Sequence, residues 1–146
     1  MSQNSIRSLV YISTAKAGLQ EADFLKIVES AQRNNELNEI TGLLVFNGTN
    51  FMQLLEGAPE SVNNCMAIIA NDPRHNGIVI LSKDGKPERE FPDWHMANIL
   101  FQSGKISSDN PLDKILGRKD VSNETSEIFR NFCSLGLPTN NVMKPE

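Results

Sequence analysis

A chain of 146 residues with 14 Lys and Arg against 18 Asp and Glu is long enough for one domain with a proper core. Its net charge of -4 and the lack of any basic run argue against nucleic acid or an anionic membrane as partner. The start, "MSQNSIRSLVYIS", has no apolar run behind a basic end, no stretch approaches membrane-spanning length, and Cys65 and Cys133 form no CxxC pair. The expectation is a cytoplasmic protein with reduced thiols that fill apolar helix faces.

Ile6–Ser13, "IRSLVYIS", reads as a first strand. "GLQEADFLKIVESAQRNN" follows with helical period: Phe24, Val28 and Ala31 are spaced by four and three, and the same stripe reaches Asn35. "ITGLLVFNG" and "TNFMQLLEG" are two strands joined by Asn47-Gly48, a strong hairpin signal. "APESVNNCMAIIANDP" is a second helix, with Pro59 in its first turn and Pro73 marking its end. "GIVILS" is a fourth strand ending at an Asp84-Gly85 turn, and "DWHMANILF" a fifth. After a polar connector, "PLDKILG" and "SNETSEIFRNFCSLG" are helices, the latter with a stripe of Ile128, Phe129, Phe132 and Leu135. The last ten residues read as a frayed tail.

The order β-α-β-β-α-β-β specifies an α+β, ferredoxin-like sheet, and right-handed crossovers put both helices on one face. The apolar runs "GIVIL" and "LLVF" predict that the second face is also covered, by the C-terminal helical extension. We divide the chain into a core domain, residues 1–102, and an extension, residues 103–146.

Strand parity puts Leu9, Tyr11 and Ser13 on one face of the first strand and Phe51, Gln53 and Leu55 on one face of the third. Those strands are neighbours in a ferredoxin-like order, so Tyr11 and Gln53 meet while Asn35 approaches from the first helix. An unpartnered buried amide costs about 1–3 kcal/mol. Either the three groups satisfy one another, or they form the polar island of an apolar pocket for a planar ligand. Enzymatic signatures are missing: His75, read as a loop residue, and His95, read as exposed or tail-covered, have no metal-site spacing. The carboxylates of Glu21, Glu56, Asp72 and Asp93 read as caps, turns and solvated faces. "STAKAG" lacks the arginine of an acylphosphatase-like anion loop.

Together "LVYIS", "SAQRNNELNEITGLLVFN", "NFMQLLEG", "DPRHNGIVIL" and "FPDWHMANIL" resemble, in order and spacing, the BLUF family of blue-light sensors that use a flavin. The likeness runs through residues 6–101, and the rest resembles the helical tail of short stand-alone members in character. It implies Tyr11 as electron donor, Gln53 as a bridge between the Tyr11 hydroxyl and the flavin, and Asn35 at the flavin C4-carbonyl and N3 edge. It places Asn34 beside them, Arg74 toward the ribityl or phosphate chain, and Ser13, Trp94 and Met96 in signalling. A side-chain amide can exchange donor for acceptor without changing size, so Gln53 would store two hydrogen-bonded states. A shift of the last strand would then reach the C-terminal helices. The resemblance implies FAD, with FMN as alternative, no catalytic activity or metal, and output to a separate protein, with a homo-oligomer expected. The alternative from the residues alone is a flavin-free ferredoxin-like regulatory module that binds a partner.

Overall fold

The computed structural model describes residues 5–92, 95–100, 111–118 and 121–135. Asp93, Trp94, the connector and the tail lie outside them, as do the side chains of Cys133 and Leu135. Strand β1 (Ile6–Ala15) leads to α1 (Glu21–Leu37), a hairpin of β2 (Thr41–Phe46) and β3 (Asn50–Gly57), α2 (Pro59–Ala70) and β4 (His75–Lys86). A short β5 (Ala97–Leu100) and two helices, α3 (Pro111–Leu116) and α4 (Asn123–Leu135), follow. The sheet order is β4-β1-β3-β2-β5, ferredoxin-like with one strand added beside β2. Among the described residues no helix is long and apolar enough to cross a membrane.

Local chemistry sets the element boundaries. The Asp23 carboxylate accepts the Gln20 N–H at 2.8 Å, closing the first turn of α1. At the hairpin, the Asn47 side-chain oxygen accepts the N–H groups of Thr49 and Asn50 at 2.9 and 2.7 Å, with Gly48 at φ +96°. Gly42 answers a close approach: a Cβ there would lie 1.8 Å from the Leu54 carbonyl oxygen of the paired strand.

Alternation divides the core in two. Leu9, Phe24, Val28, Leu44, Phe51 and Leu55 pack between the sheet and α1/α2 on the inner face. Val10, Leu43, Val45, Met52 and Leu54 pack against Leu116, Phe129 and Phe132 on the outer face, so the C-terminal helices do cover it.

Three expectations fail around β4 and β5. The strand β4 does not stop at a turn: Asp84 and Gly85 pair with Ser8 and Arg7, because the ten-residue β1 offers partners along its length. "GIVIL" is not buried, since Val79, Ile80 and Leu81 are 46–54% exposed on an edge strand. β5 is only Ala97–Leu100, parallel to β2, so Met96 and His95 precede the strand instead of alternating within it.

Candidate functional site

The inner face opens between α1 and α2 into a cleft. Tyr11 and Gln53 form its floor, Ala31, Asn34 and Asn35 one wall, and Cys65, Ile68 and Ile69 the other. Tyr11 and Gln53 are direct register partners across β1 and β3, as strand parity predicts. The Tyr11 hydroxyl donates to Gln53 Oε1. Both side chains are buried, and burial pushes the Tyr11 phenol well above its ordinary value, so it is neutral.

The other end of the Gln53 amide is held less firmly. Its Nε2 donates to the sulfur of buried Met96 at 3.4 Å, and thioether sulfur is a weak acceptor. Asn35, brought in by the α1 stripe, donates from Nδ2 to the His95 carbonyl at 3.0 Å. Its Oδ1 accepts the Cys65 thiol at 3.7 Å. Burial pushes that thiol up to about 11, so it remains a neutral donor. Gln32 on α1 donates to the Met96 carbonyl at 3.1 Å, so two amides of one helix hold the segment entering β5.

At the mouth, Arg74 lies across Asp72, Nε and Nη2 reaching its carboxylate at 2.9 and 2.6 Å. This pairing holds the Asp72 carboxyl below, and the Arg74 guanidinium above, their ordinary values. Asn34 lines the cleft but is exposed.

Ser13 is buried and contacts His75 Nδ1 at 2.7 Å. Nε2 of that ring is 2.7 Å from the Ile69 carbonyl, which can only accept. A neutral ring therefore carries its proton on Nε2 and accepts from Ser13 at Nδ1. His75 is thus no loop residue: it opens β4 and joins β1 to the end of α2, with its ring 6.2 Å from that of Tyr11. His95 is exposed, as expected, with Nδ1 3.3 Å from the Ile40 carbonyl.

Glu56 corrects another expectation. It is fully buried and takes the N–H groups of Glu90 and Phe91 at 2.6 and 2.9 Å. Sequence reasoning passed over Glu90 and Gln32 and misplaced Glu56 and His75, while Cys65 packs against the inner core as expected and also donates to Asn35. Only Glu56 carried a signal, as the one acid on a strand face otherwise occupied by Met52 and Leu54.

The donor set fits a flat, uncharged heterocycle. Among the described residues, one strong donor of Gln53 and one acceptor of Asn35 have only sulfur partners, and a ring edge alternating acceptors with a donor matches them better. Residues 6–97 match the family described as BLUF, sensors of blue-light using FAD. The chain belongs to the BLUF family. It is a flavin-binding blue-light sensor, and the flavin-free alternative falls away.

The blue light- and temperature-regulated antirepressor BluF of Escherichia coli is 38% identical over 86 residues, 59% of this chain and 21% of that protein. The photoactivated adenylate cyclase subunit beta of Euglena longa is 28% identical over 133 residues, 90% of this chain and 14% of that one. The chain thus spans about a fifth of the first relative and less of the second. The dark-state structure of BlrB, a BLUF protein, superposes with a TM-score of 0.68 at 27% identity, covering 92% of this chain and 99% of BlrB. Klebsiella pneumoniae BlrP1 with FMN and cyclic diGMP gives 0.71 at 28%, covering 90% of this chain and 34% of BlrP1.

Proposed function

We propose that this BLUF domain senses light through Gln53, with Tyr11 as its proton and electron source and Asn35 as the second amide on the flavin edge. The observation that carries the reading is the unequal hold on the Gln53 amide: a phenol donates to its oxygen, while among the described residues its nitrogen has only the Met96 sulfur. Turning the amide end for end exchanges one net hydrogen bond for another, each worth about 0.5–1.5 kcal/mol. Two states of similar energy therefore fit one site. The bound flavin supplies the absorption of blue light and the oxidising power of its excited state. Tyr11 keeps its proton on the line to Gln53 Oε1. As Tyr11 gives up an electron its proton moves to Oε1; electron and proton then both return to Tyr11, leaving a neutral phenol and a neutral amide with Nε2 in place of Oε1 facing it, and Met96 must then adjust.

We assign Asn34 and Arg74 to the cofactor's rim and tail, FAD as the flavin, and Ser13, Trp94 and Met96 to signalling. FAD follows the family's description, and the FMN in the BlrP1 structure is the alternative. Residues 1–102 form the sensor and residues 103–146 its output extension. The protein works in the cytoplasm, as a homo-oligomer, on a separate protein partner, with no catalysis of its own.

The test is a visible spectrum taken before, during and after blue illumination. Wild type should be yellow and shift reversibly to the red. Gln53→Leu should stay yellow without the shift, and a normal photocycle in that variant overturns the assignment.

A further inference from the structure

Two carboxylates are buried on the outer face, away from the cleft, and the light-sensing site uses neither. Glu56 lies three residues after Gln53 on β3 and so points through the opposite side of the sheet. It is fully buried, and burial pushes its carboxyl up even though two backbone N–H groups oppose that rise. Those N–H groups belong to Glu90 and Phe91, in the connection that runs on from β4 to Met96. Arg89, from the same connection, donates to the Glu56 carbonyl at 2.9 Å and to Thr41 Oγ1 at 3.0 Å.

Glu90 is itself only 5% exposed and reaches further out. Its Oε1 accepts the Ser122 N–H at 2.8 Å, and its Oε2 accepts Thr125 Oγ1 at 3.0 Å and the Lys86 ammonium. Ser122 is the N-cap of α4, its hydroxyl accepting the Thr125 N–H at 3.1 Å. In an ordinary capping box the residue at Thr125's position would be a Glu or Gln returning to the N-cap N–H. Here that residue is too short, and Glu90 supplies the carboxylate from another segment. The helix is capped by the sheet domain.

We propose that Glu56 and Glu90 are positioning residues that tie the state of the Gln53 site to α4, with Glu90 completing the helix's cap from outside. Glu90, on the α4 cap, and Met96, at Gln53, lie only six residues apart in the chain. A displacement of Met96 therefore pulls on the cap. This rests on Gln53 as the switching group.

Hydrogen exchange, read by mass spectrometry on the flavin-loaded full chain in darkness and under blue light, tests it. In the dark, Glu90→Ala should leave the absorption spectrum and its light shift unchanged while amides of residues 123–135 exchange roughly tenfold faster. In wild type, light should accelerate the same amides, and in Glu90→Ala light should add nothing. Unchanged dark exchange in Glu90→Ala overturns the cap. A wild type that shifts its spectrum but leaves α4 indifferent to light overturns the coupling alone. A wild type with no spectral shift overturns the reading of Gln53 as well, and absorption reveals it before any exchange is measured. Should Glu90→Ala fail to fold, Thr125→Val removes only the two bonds of that hydroxyl, to Glu90 and from Ser122, and should show the same pattern at roughly threefold.

Discussion

On the inner face of the sheet, Tyr11, Gln53, Asn35 and Cys65 are all neutral, and two of their contacts run through sulfur at 3.4 and 3.7 Å. On the outer face, Glu56 and Glu90 are held by backbone N–H groups, a hydroxyl and an ammonium, with oxygen–nitrogen distances of 2.6–2.9 Å to the backbone. Both faces bury polar groups, but to opposite effect. A neutral amide with a weak partner turns at small cost, whereas a buried carboxylate that loses a donor costs several kcal/mol. One face can therefore change state while the other transmits the change without slack.

Removing the Tyr11 hydroxyl tests the switching face most severely. Tyr11→Phe keeps the ring that packs against the inner core and deletes only the donor to Gln53. The expected result is full flavin occupancy and complete loss of the reversible red shift, read by absorption. A persistent shift would move the donor role elsewhere.

The covering face should respond in stability and not in colour. Phe129 is fully buried between α4 and the outer side of the sheet. Phe129→Ala should cost about 3–5 kcal/mol, seen as a lower thermal midpoint. Its dark spectrum should match wild type, because Phe129 packs in the outer-face cluster and Tyr11 and Met96 in the inner one. A spectral change as large as the stability loss would show that the faces are not separable.

The comparison also explains what could be read from the chain. The meeting of Tyr11, Gln53 and Asn35 follows from periods: two along the strands, 3.6 along α1, and a strand order that makes β1 and β3 neighbours. Each step is local or set by topology. The outer-face acids were hidden because their partners are distant: Glu56 meets Glu90 34 residues on, and Glu90 meets Ser122 a further 32 on. Likewise Ser13 and His75 are 62 residues apart. β4 misled for a related reason, since pairing with β1 overrode the turn preference of Asp84-Gly85 and edge position left Val79–Leu81 exposed.

A smaller effect sharpens the character of the inner face. Cys65→Ala deletes a weak donor to Asn35 and should cost less than about 1.5 kcal/mol. The wild-type thiol makes a clearer mark on pH dependence. Its folded value is raised to about 11 from an ordinary value of about 8.5. The stability it contributes is complete below the unfolded value and is lost as pH rises toward the folded one. Denaturant melts should therefore show wild type losing more stability than Cys65→Ala between about pH 8.5 and 11.

The smallest effect belongs to Asp72 and Arg74, charged like the outer-face acids but half open to water like the mouth of the cleft. Their side chains are 23% and 37% exposed, so solvent weakens the pair despite its 2.6 Å contact. Asp72 has a lowered folded value, so its contribution is present above the ordinary carboxylate value of about 3.9 and is lost as pH falls through the folded one. Asp72→Asn should thus shift stability by less than about 1 kcal/mol at neutral pH, and the difference from wild type should vanish in acid. If the loss at neutral pH were several times larger, Arg74 would belong with the fixed, fully desolvated pairs, and the line between the two kinds of polar group would have to be drawn outside the cleft.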